Sequence, residues 1–122
     1  MEVIADSHAL FWLISGSKKL SKKAREILAE ASRIIVPTIV LLELLYILQK
    51  YGQEDKFSTL LSELTRDRYL VYPIDLALVK ECAKVEKNLE MHDRLIVACA
   101  RVFGSPIVSK DKEIRKFYPR TI

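Results

Sequence analysis

Two kinds of hydrophobic spacing alternate along the chain. Short, mostly apolar runs typical of β-strands lie at 2–5, 33–36, 69–72 and 106–109. Between them, apolar residues recur at the spacing of amphipathic helices. This spacing predicts helices at 7–14, 21–31, 38–50, 54–66, 75–88, 92–103 and 112–117. The pattern therefore predicts a chain in which strands and helices alternate from end to end.

Such alternation is typical of a parallel sheet, because a helix returns the chain to the edge where the next strand begins. The run at 34–36, Ile-Ile-Val, is apolar on both faces, as expected for a sheet covered on both sides. The C-terminal tail is a candidate for a further edge strand. We therefore predict an α/β fold, a three-layer α/β/α sandwich around a central parallel sheet of four to five strands. No repeat or linker divides the chain, so we expect one domain over residues 1–122.

The composition is that of a globular protein, with 50% hydrophobic and 30% charged residues. The longest apolar stretch, 34–48, is interrupted by Pro37 and Glu43 and is too short to cross a bilayer. The N-terminus lacks the pattern of a signal peptide. Cys82 and Cys99 lie in apolar helical patterns and are expected to be buried free thiols. Together these features predict a cytoplasmic protein with no membrane segment.

The charge balance favours an anionic partner. The net charge is +4, from 20 Lys and Arg against 16 Asp and Glu. If a metal neutralises four of the acids, 20 basic residues face 12 acidic ones, a net +8. Nucleic acid is the commonest polyanion that such a surface binds. With only three glycines, the chain has no glycine-rich phosphate loop, which argues against P-loop and dinucleotide chemistry.

Four acidic residues fall where the predicted topology gathers ligand sites. Asp6 and Asp111 follow the first and last core strands, and Asp93 begins the helix that leads to the last one. Glu43 lies near the start of the helix at 38–50, and helical side chains lean toward the N-terminus. All four carboxylates are therefore expected at one edge of the sheet. Taken singly, each aspartate is also a favourable helix N-cap.

Glu43 is the most informative of these acids, because it is the only polar residue at 39–48. A helix that is apolar all round is buried on several sides. An unpaired carboxylate there costs several kcal/mol, so it must be neutral, paired with an Arg or bound to a metal. Two carboxylates ~4 Å apart repel by ~4 kcal/mol at an effective dielectric constant of ~20. A cluster of them favours a hard cation that prefers oxygen ligands, Mg²⁺ or Mn²⁺.

Three segments and the helix that carries Glu43 resemble the PIN-domain ribonucleases, specifically the VapC-type toxins of toxin–antitoxin pairs. The segments are Asp6-Ser-His-Ala-Leu-Phe-Trp12, Asp93-Arg-Leu-Ile-Val-Ala98 and Ile107-Val-Ser-Lys-Asp111. The resemblance follows the chain in order over nearly its whole length and implies a PIN-like sandwich. Ser7 and Ser109 stand where the family often has Thr, and both keep a hydroxyl. The family's frequent Asp-Pro-x-Asp is here Glu90-Met-His-Asp93.

That resemblance implies a Mg²⁺-dependent (or Mn²⁺-dependent) endoribonuclease, with Asp6, Glu43, Asp93 and Asp111 as catalytic metal ligands. The metal would activate a water for attack on phosphorus, leaving a 5′-phosphate and a 3′-hydroxyl. Ser7 and Ser109 would be hydroxyl donors that orient the carboxylates, or simply helix caps. The implied partners are an RNA substrate and a cognate antitoxin.

Several basic residues are further candidates for a role at this site. Arg94 would contact phosphate or form a salt bridge at its helix start. Ten basic residues would form a phosphate-tracking rim or be solvated helix faces: Lys18, Lys19, Lys22, Lys23, Arg25, Lys110, Lys112, Arg115, Lys116 and Arg120. The helix at 38–50 has more apolar surface than one sheet face covers, which predicts a homodimer.

Two alternatives of different classes stay open at this point. The first is a receiver-type phosphoacceptor signalling domain, which needs an adjacent acidic pair after the first strand, where this chain has Asp6-Ser7. It would also leave Glu43 unexplained. The second is a catalytically inactive PIN relative that binds RNA or protein. The four intact acids argue against it.

Overall fold

A four-stranded, all-parallel sheet forms the centre of the computed structural model, which describes residues 1–122. Its strands are β1 (Glu2–Ala5), β2 (Arg33–Pro37), β3 (Tyr69–Tyr72) and β4 (Ile107–Val108), and their order across the sheet is β3-β2-β1-β4. The register pairs Val3 with Ile34, Ile34 with Tyr69, and Ile4 with Ile107. The predicted parallel sheet is confirmed.

Seven helices connect and cover these strands: α1 (Ser7–Ser15), α2 (Lys22–Glu30), α3 (Thr38–Lys50), α4 (Lys56–Glu63), α5 (Leu76–Cys82), α6 (Met91–Phe103) and α7 (Lys112–Phe117). The central strands have no exposed face, since Ile4 of β1 and the whole 34–36 run of β2 are fully buried. The buried apolar residues form one core cluster. The three-layer α/β/α arrangement predicted from the apolar runs is therefore confirmed.

The C-terminal tail adds a short fifth edge beside β4, as the sequence predicted. Thr121 forms a parallel bridge with Ile107. The backbone N–H of Ile122 donates to the carbonyl of Ile107 at 2.7 Å, and Ser109 donates to the carbonyl of Ile122 at 3.2 Å. The tail therefore covers the outer edge of β4 near the end that carries Ser109.

The longest departure from the predicted elements is at α5, which ends at Cys82 and not near residue 88. The guanidinium of Arg94 donates to the backbone carbonyls of Cys82, at 2.9 Å, and Val85, at 3.4 Å. These bonds satisfy carbonyls that a longer helix would use itself, and residues 83–88 turn so that Val85 is buried. The predicted salt bridge of Arg94 is wrong, because its partners are carbonyls from another part of the chain.

Both cysteines are free thiols, as expected, but Cys82 is only partly buried. Cys99 is fully buried, and burial raises its pKa to about 12, so the thiol is neutral and packs as a small apolar group. None of the helices combines the length and the apolar character that crossing a bilayer requires.

Candidate active site

A pocket of about 430 Å³ lies beyond the carboxyl ends of β1 and β4. All four acids predicted from the sequence line it: Asp6, Glu43, Asp93 and Asp111. They come from the end of β1, from α3, from α6 and from the start of α7. The parallel topology brings these ends together, as it does in other open α/β sheets.

Asp6 is held in place by two hydrogen bonds. Its Oδ1 accepts from the backbone N–H of Ala9 at 2.9 Å, which makes it the N-cap of α1. Its Oδ2 accepts a short hydrogen bond from the hydroxyl of Ser109. Burial raises the pKa of Asp6, and the two hydrogen bonds oppose that rise. Asp6 is thus a fixed carboxylate that also caps a helix.

Ser109 connects Asp6 to Asp111. Besides donating to Asp6, its Oγ accepts from the backbone N–H of Asp111 at 3.0 Å. Asp111 caps α7 by accepting from Glu113 N–H at 2.8 Å. Ser109 therefore has the geometry expected of a hydroxyl that orients a carboxylate. Ser7 is buried and lines the pocket, but its hydroxyl makes no hydrogen bond to these acids.

Glu43 projects from the second turn of α3 and is only partly exposed. Its Oε1 is buried and has no hydrogen-bond partner, and no Arg or Lys pairs with it. The possibility that Glu43 pairs with an Arg is therefore excluded. Burial is the main cause of its raised pKa, His92 lowers it, and Asp93, Glu90 and Asp6 raise it further. A buried carboxylate oxygen without a partner is costly unless a proton or a cation reaches it.

Asp93 lies in the first turn of α6, where its carboxylate is not the helix cap. Glu90 occupies the N-cap position, without a side-chain cap bond, and the side chain of Asp93 makes no hydrogen bond or ion pair. The cap interpretation of Asp93 is therefore wrong. Burial, followed by the charges of Asp111, Glu90 and Asp6, raises its pKa from 3.8 to about 6. No structural partner accounts for this carboxylate.

Glu90 also lines the pocket, although the sequence did not predict a role for it there. It lies at the N-cap position, three residues before Asp93, and its charge raises the pKa of Asp93 after the larger effects of burial and of Asp111. Its Oε1 lies 2.7 Å from Nδ1 of His92. His8, Trp12 and Lys110 also line the pocket, which therefore contains five acidic side chains and few positive ones.

The donor set fits a hard divalent cation, because it consists of carboxylate oxygens and includes the unpartnered Oε1 of Glu43. The side chains do not surround a common point, since no three His, Cys, Asp or Glu groups are close enough to hold one ion. Mutual repulsion opposes a closer approach of like charges. The acids that would hold a cation are Asp6, Glu43, Asp93 and Asp111.

In a comparison with protein families, the model of the PIN domain matches residues 3–118. Comparison of the sequence with curated proteins gives no match.

Solved structures with a similar fold include three toxin structures. A toxin–antitoxin complex from Klebsiella pneumoniae aligns with a TM-score of 0.74 and 20% identity, covering 98% of this chain and 95% of that one. VapBC2 from Rickettsia felis, bound to a DNA fragment from its promoter, gives 0.73 and 17%, covering 100% and 96%. VapC20 from Mycobacterium tuberculosis, described as a toxin that cleaves the sarcin–ricin loop, gives 0.72 and 14%, covering 95% and 94%. At these identities, the likeness is one of fold over almost the full length of each chain.

Proposed function

The chain belongs to the PIN-domain family, and from that premise we propose that it is a divalent-metal-dependent endoribonuclease. It hydrolyses phosphodiester bonds of RNA with Mg²⁺ or Mn²⁺ as cofactor. The observation that carries this proposal is the gathering of Asp6, Glu43, Asp93 and Asp111 at one pocket. Burial, and after it the charges of neighbouring carboxylates, raises the pKa of Asp93 and of Glu43, and a bound cation would oppose that rise.

The four acids are of two kinds: carboxylates anchored by hydrogen bonds to the backbone, and uncommitted carboxylates, which lack a hydrogen-bond partner in the protein. Asp6 and Asp111 are anchored by backbone N–H groups at helix starts. The buried Oε1 of Glu43 has no hydrogen-bond partner in the protein. The carboxylate of Asp93 has none either. A bound Mg²⁺ would supply Lewis-acid activation of water and would stabilise charge on the departing oxygen. The anchored pair sets the position of the site, and the uncommitted pair completes the donor set.

We further propose that the protein is the toxin of a VapBC-type pair, acting in the cytoplasm as a homodimer. Support comes from the similar structures, two of which are toxin–antitoxin complexes and one an RNA-cleaving toxin by its description. The cognate antitoxin would inhibit by covering the acidic pocket. A basic side chain from the antitoxin would complement the five acids that line this pocket.

The test is incubation of the purified protein with 5′-labelled single-stranded RNA in Mg²⁺, in Mn²⁺ and in EDTA. We expect cleavage with either metal, none in EDTA, and products that carry 5′-phosphate and 3′-hydroxyl ends. Asp93→Asn should lower the rate at least about 100-fold, because it removes a charged donor from the site without changing its size. The matched control is Asp67→Asn, an exposed residue outside the pocket, which should cleave like the wild type.

The same assay distinguishes the alternatives. Absence of cleavage on every RNA tested, with metal uptake intact, would favour the inactive PIN relative. The PIN match and the single acid after β1, Asp6 followed by Ser7, argue against the receiver-type phosphoacceptor. Transfer of phosphate from a small phosphodonor to an aspartate of this chain would contradict that conclusion.

A further inference from the structure

A second pocket, of about 500 Å³, adjoins the acidic one and has the opposite charge. We call it the basic pocket. Its charged lining residues are Lys23, Lys110, Lys112 and Arg115, and no Asp or Glu side chain lines it. Lys23 comes from α2, Lys110 from the segment after β4, and Lys112 and Arg115 from α7. Distant segments therefore bring four positive charges to one concave surface.

None of these four cations forms an ion pair with a carboxylate. The five ion pairs of the structure all lie elsewhere. Arg115 is fixed by a hydrogen bond from its Nη2 to the carbonyl of Ser109 at 3.0 Å, which leaves its other N–H groups free. Of the ten basic residues considered from the sequence, Arg25 donates to the carbonyls of Ser17 and Leu20 instead. The basic pocket thus contains only four of the ten basic residues that the sequence suggested for a phosphate-binding rim.

Trp12 forms the wall between the two pockets. It lines both of them, as does Lys110, whose Nζ lies 5.1 Å from the centre of the indole ring. On the acidic side, the ring of His8 lies 5.6 Å from the indole at 47°. Trp12 is partly exposed. A chain that leaves the acidic pocket toward the basic one therefore passes an aromatic surface and then meets unpaired cations.

We propose that Trp12 and the basic pocket form the binding site for the single-stranded nucleotide next to the cleaved bond, the base against the indole and the phosphate on the lysines. This inference rests on the proposed function and adds to it the direction in which the strand leaves the site. The ligand is a strand of unpaired nucleotides. Proteins bind such strands through aromatic side chains, on which the bases stack, and through a positively charged groove that follows the phosphates.

An acidic peptide is the competing ligand, and the lining of the site favours RNA over it. A peptide carboxylate would use the four cations but would gain nothing from a tryptophan face placed between them and the acidic pocket. A nucleotide uses both, because its base has an apolar face and its phosphate has a charge. The continuity of the basic pocket with the acidic one also suits a ligand that occupies both.

The first measurement uses the intrinsic fluorescence of Trp12, which is the only tryptophan of the chain. A short single-stranded RNA is titrated into the full chain in EDTA at low salt, where the proposed hydrolysis does not occur. We expect quenching of the emission that saturates together with binding, because a stacked base alters the surroundings of the indole. In an anisotropy assay with labelled RNA, Trp12→Leu should raise the Kd at least about fivefold, because the stacking contact is lost.

The second measurement is the salt dependence of the Kd for matched lysine variants. Lys22 and Lys23 are exposed neighbours on α2, but only Lys23 lines the basic pocket. Lys23→Ala should reduce the slope of log K against log salt by about 0.7, the value for one lost phosphate contact with a single strand. Lys22→Ala should leave the slope unchanged. Both variants change exposed residues and remove the same charge, so the comparison does not depend on a folding defect.

Trp12→Phe keeps an aromatic face and should bind RNA with a Kd within about threefold of the wild-type value.

Unchanged fluorescence at saturating RNA, or equal slopes for the two lysine variants, would overturn the proposal. So would a poly-glutamate peptide of equal charge that binds as tightly as the RNA. If one of these contrary results is found together with metal-dependent cleavage, the proposed ribonuclease activity stands and only the strand-binding site is refuted. If quenching and the Lys23 effect are found without any cleavage, the strand-binding site stands and the ribonuclease activity is refuted.

Discussion

At the residue scale, the pocket is defined by side chains that the rest of the protein does not neutralise. Asp6 and Asp111 each have backbone donors, and their capping bonds would remain if no ligand ever bound. Glu43 and Asp93 differ, because the Oε1 of Glu43 and the carboxylate of Asp93 accept no hydrogen bond from the protein. Their raised pKa values follow from burial first and from neighbouring carboxylates second. Both acids are thus kept in a state that a cation would relieve.

This crowding predicts the sign of a pH dependence. The pKa of Asp93 is about 6 in the folded chain and near 3.8 when unfolded, so the native state binds more protons between these values. The free energy of unfolding should therefore fall as pH rises from about 4 to 6 in EDTA. Asp93→Asn should flatten this window and raise the stability at pH 7.5 by about 1 kcal/mol after solvent screening, or about 4 °C in Tm.

Thermal melts at several pH values in EDTA measure this effect. Asp67→Asn is the matched control, since it removes an exposed carboxylate outside the pocket and should reproduce the wild-type profile. If Asp93→Asn melts lower than the wild type at pH 7.5, Asp93 has a stabilising partner and the crowding argument fails.

At the element scale, the start of α6 depends on a contact with the preceding turn. Arg94 follows Asp93 directly, and its guanidinium reaches back to the carbonyls that end α5. Its Nε is buried without a partner. Arg94 therefore joins the 83–88 turn to the helix that carries Asp93. Its role is to position that helix start, and it does not line the acidic pocket.

Arg94→Met should consequently destabilise the fold while leaving the chemistry of the site unchanged. We expect a loss of about 1–3 kcal/mol, because two partly buried carbonyls lose a charged donor. Arg101→Met on the same helix is the control; Arg101 pairs with the partly exposed Glu86 at 3.3 Å, a contact worth about 1 kcal/mol or less. Denaturant unfolding and RNA cleavage at saturating substrate are measured together. A cleavage defect in Arg94→Met at unchanged stability would indicate a phosphate contact instead.

At the scale of the whole molecule, α3 leaves apolar side chains uncovered. Leu42 is 46% exposed and Tyr46 is 65% exposed, four residues apart on one side of the helix. The opposite side of α3 is packed in the core, through Leu44 and Leu48 among others. A helix that is apolar on both sides is unusual on a monomer surface, which is the reason for proposing a homodimer.

The oligomeric state can be tested with a charge on this surface. Leu42→Asp should convert a dimer to a monomer in light scattering at micromolar concentration, because an isologous interface would bury two copies of the new charge. Leu61→Asp on α4 is the control, since Leu61 has a similar exposure of 41%. A wild-type chain that is monomeric at high concentration would contradict the homodimer.

Local pattern was sufficient for most of the fold. The strands, six of the seven helices to within about a turn at each end, and the parallel sheet follow from apolar spacing, since periodicity is a property of neighbouring residues. The same topology rule predicted that Asp6, Glu43, Asp93 and Asp111 would reach one edge of the sheet, and they line one pocket. These results needed no knowledge of which side chains touch.

Tertiary structure decided what depends on contacts between distant segments. It ended α5 at Cys82 through Arg94, left Glu43 without an Arg, and gave Asp93 no capping role. It also separated the basic residues, leaving Lys23 in the basic pocket and its neighbour Lys22 outside it. The sequence by itself determined the elements and the edge at which the acids lie, because backbone periodicity and strand direction are local. The partners of each charge were decided by packing, because they belong to segments that only the folded chain brings together.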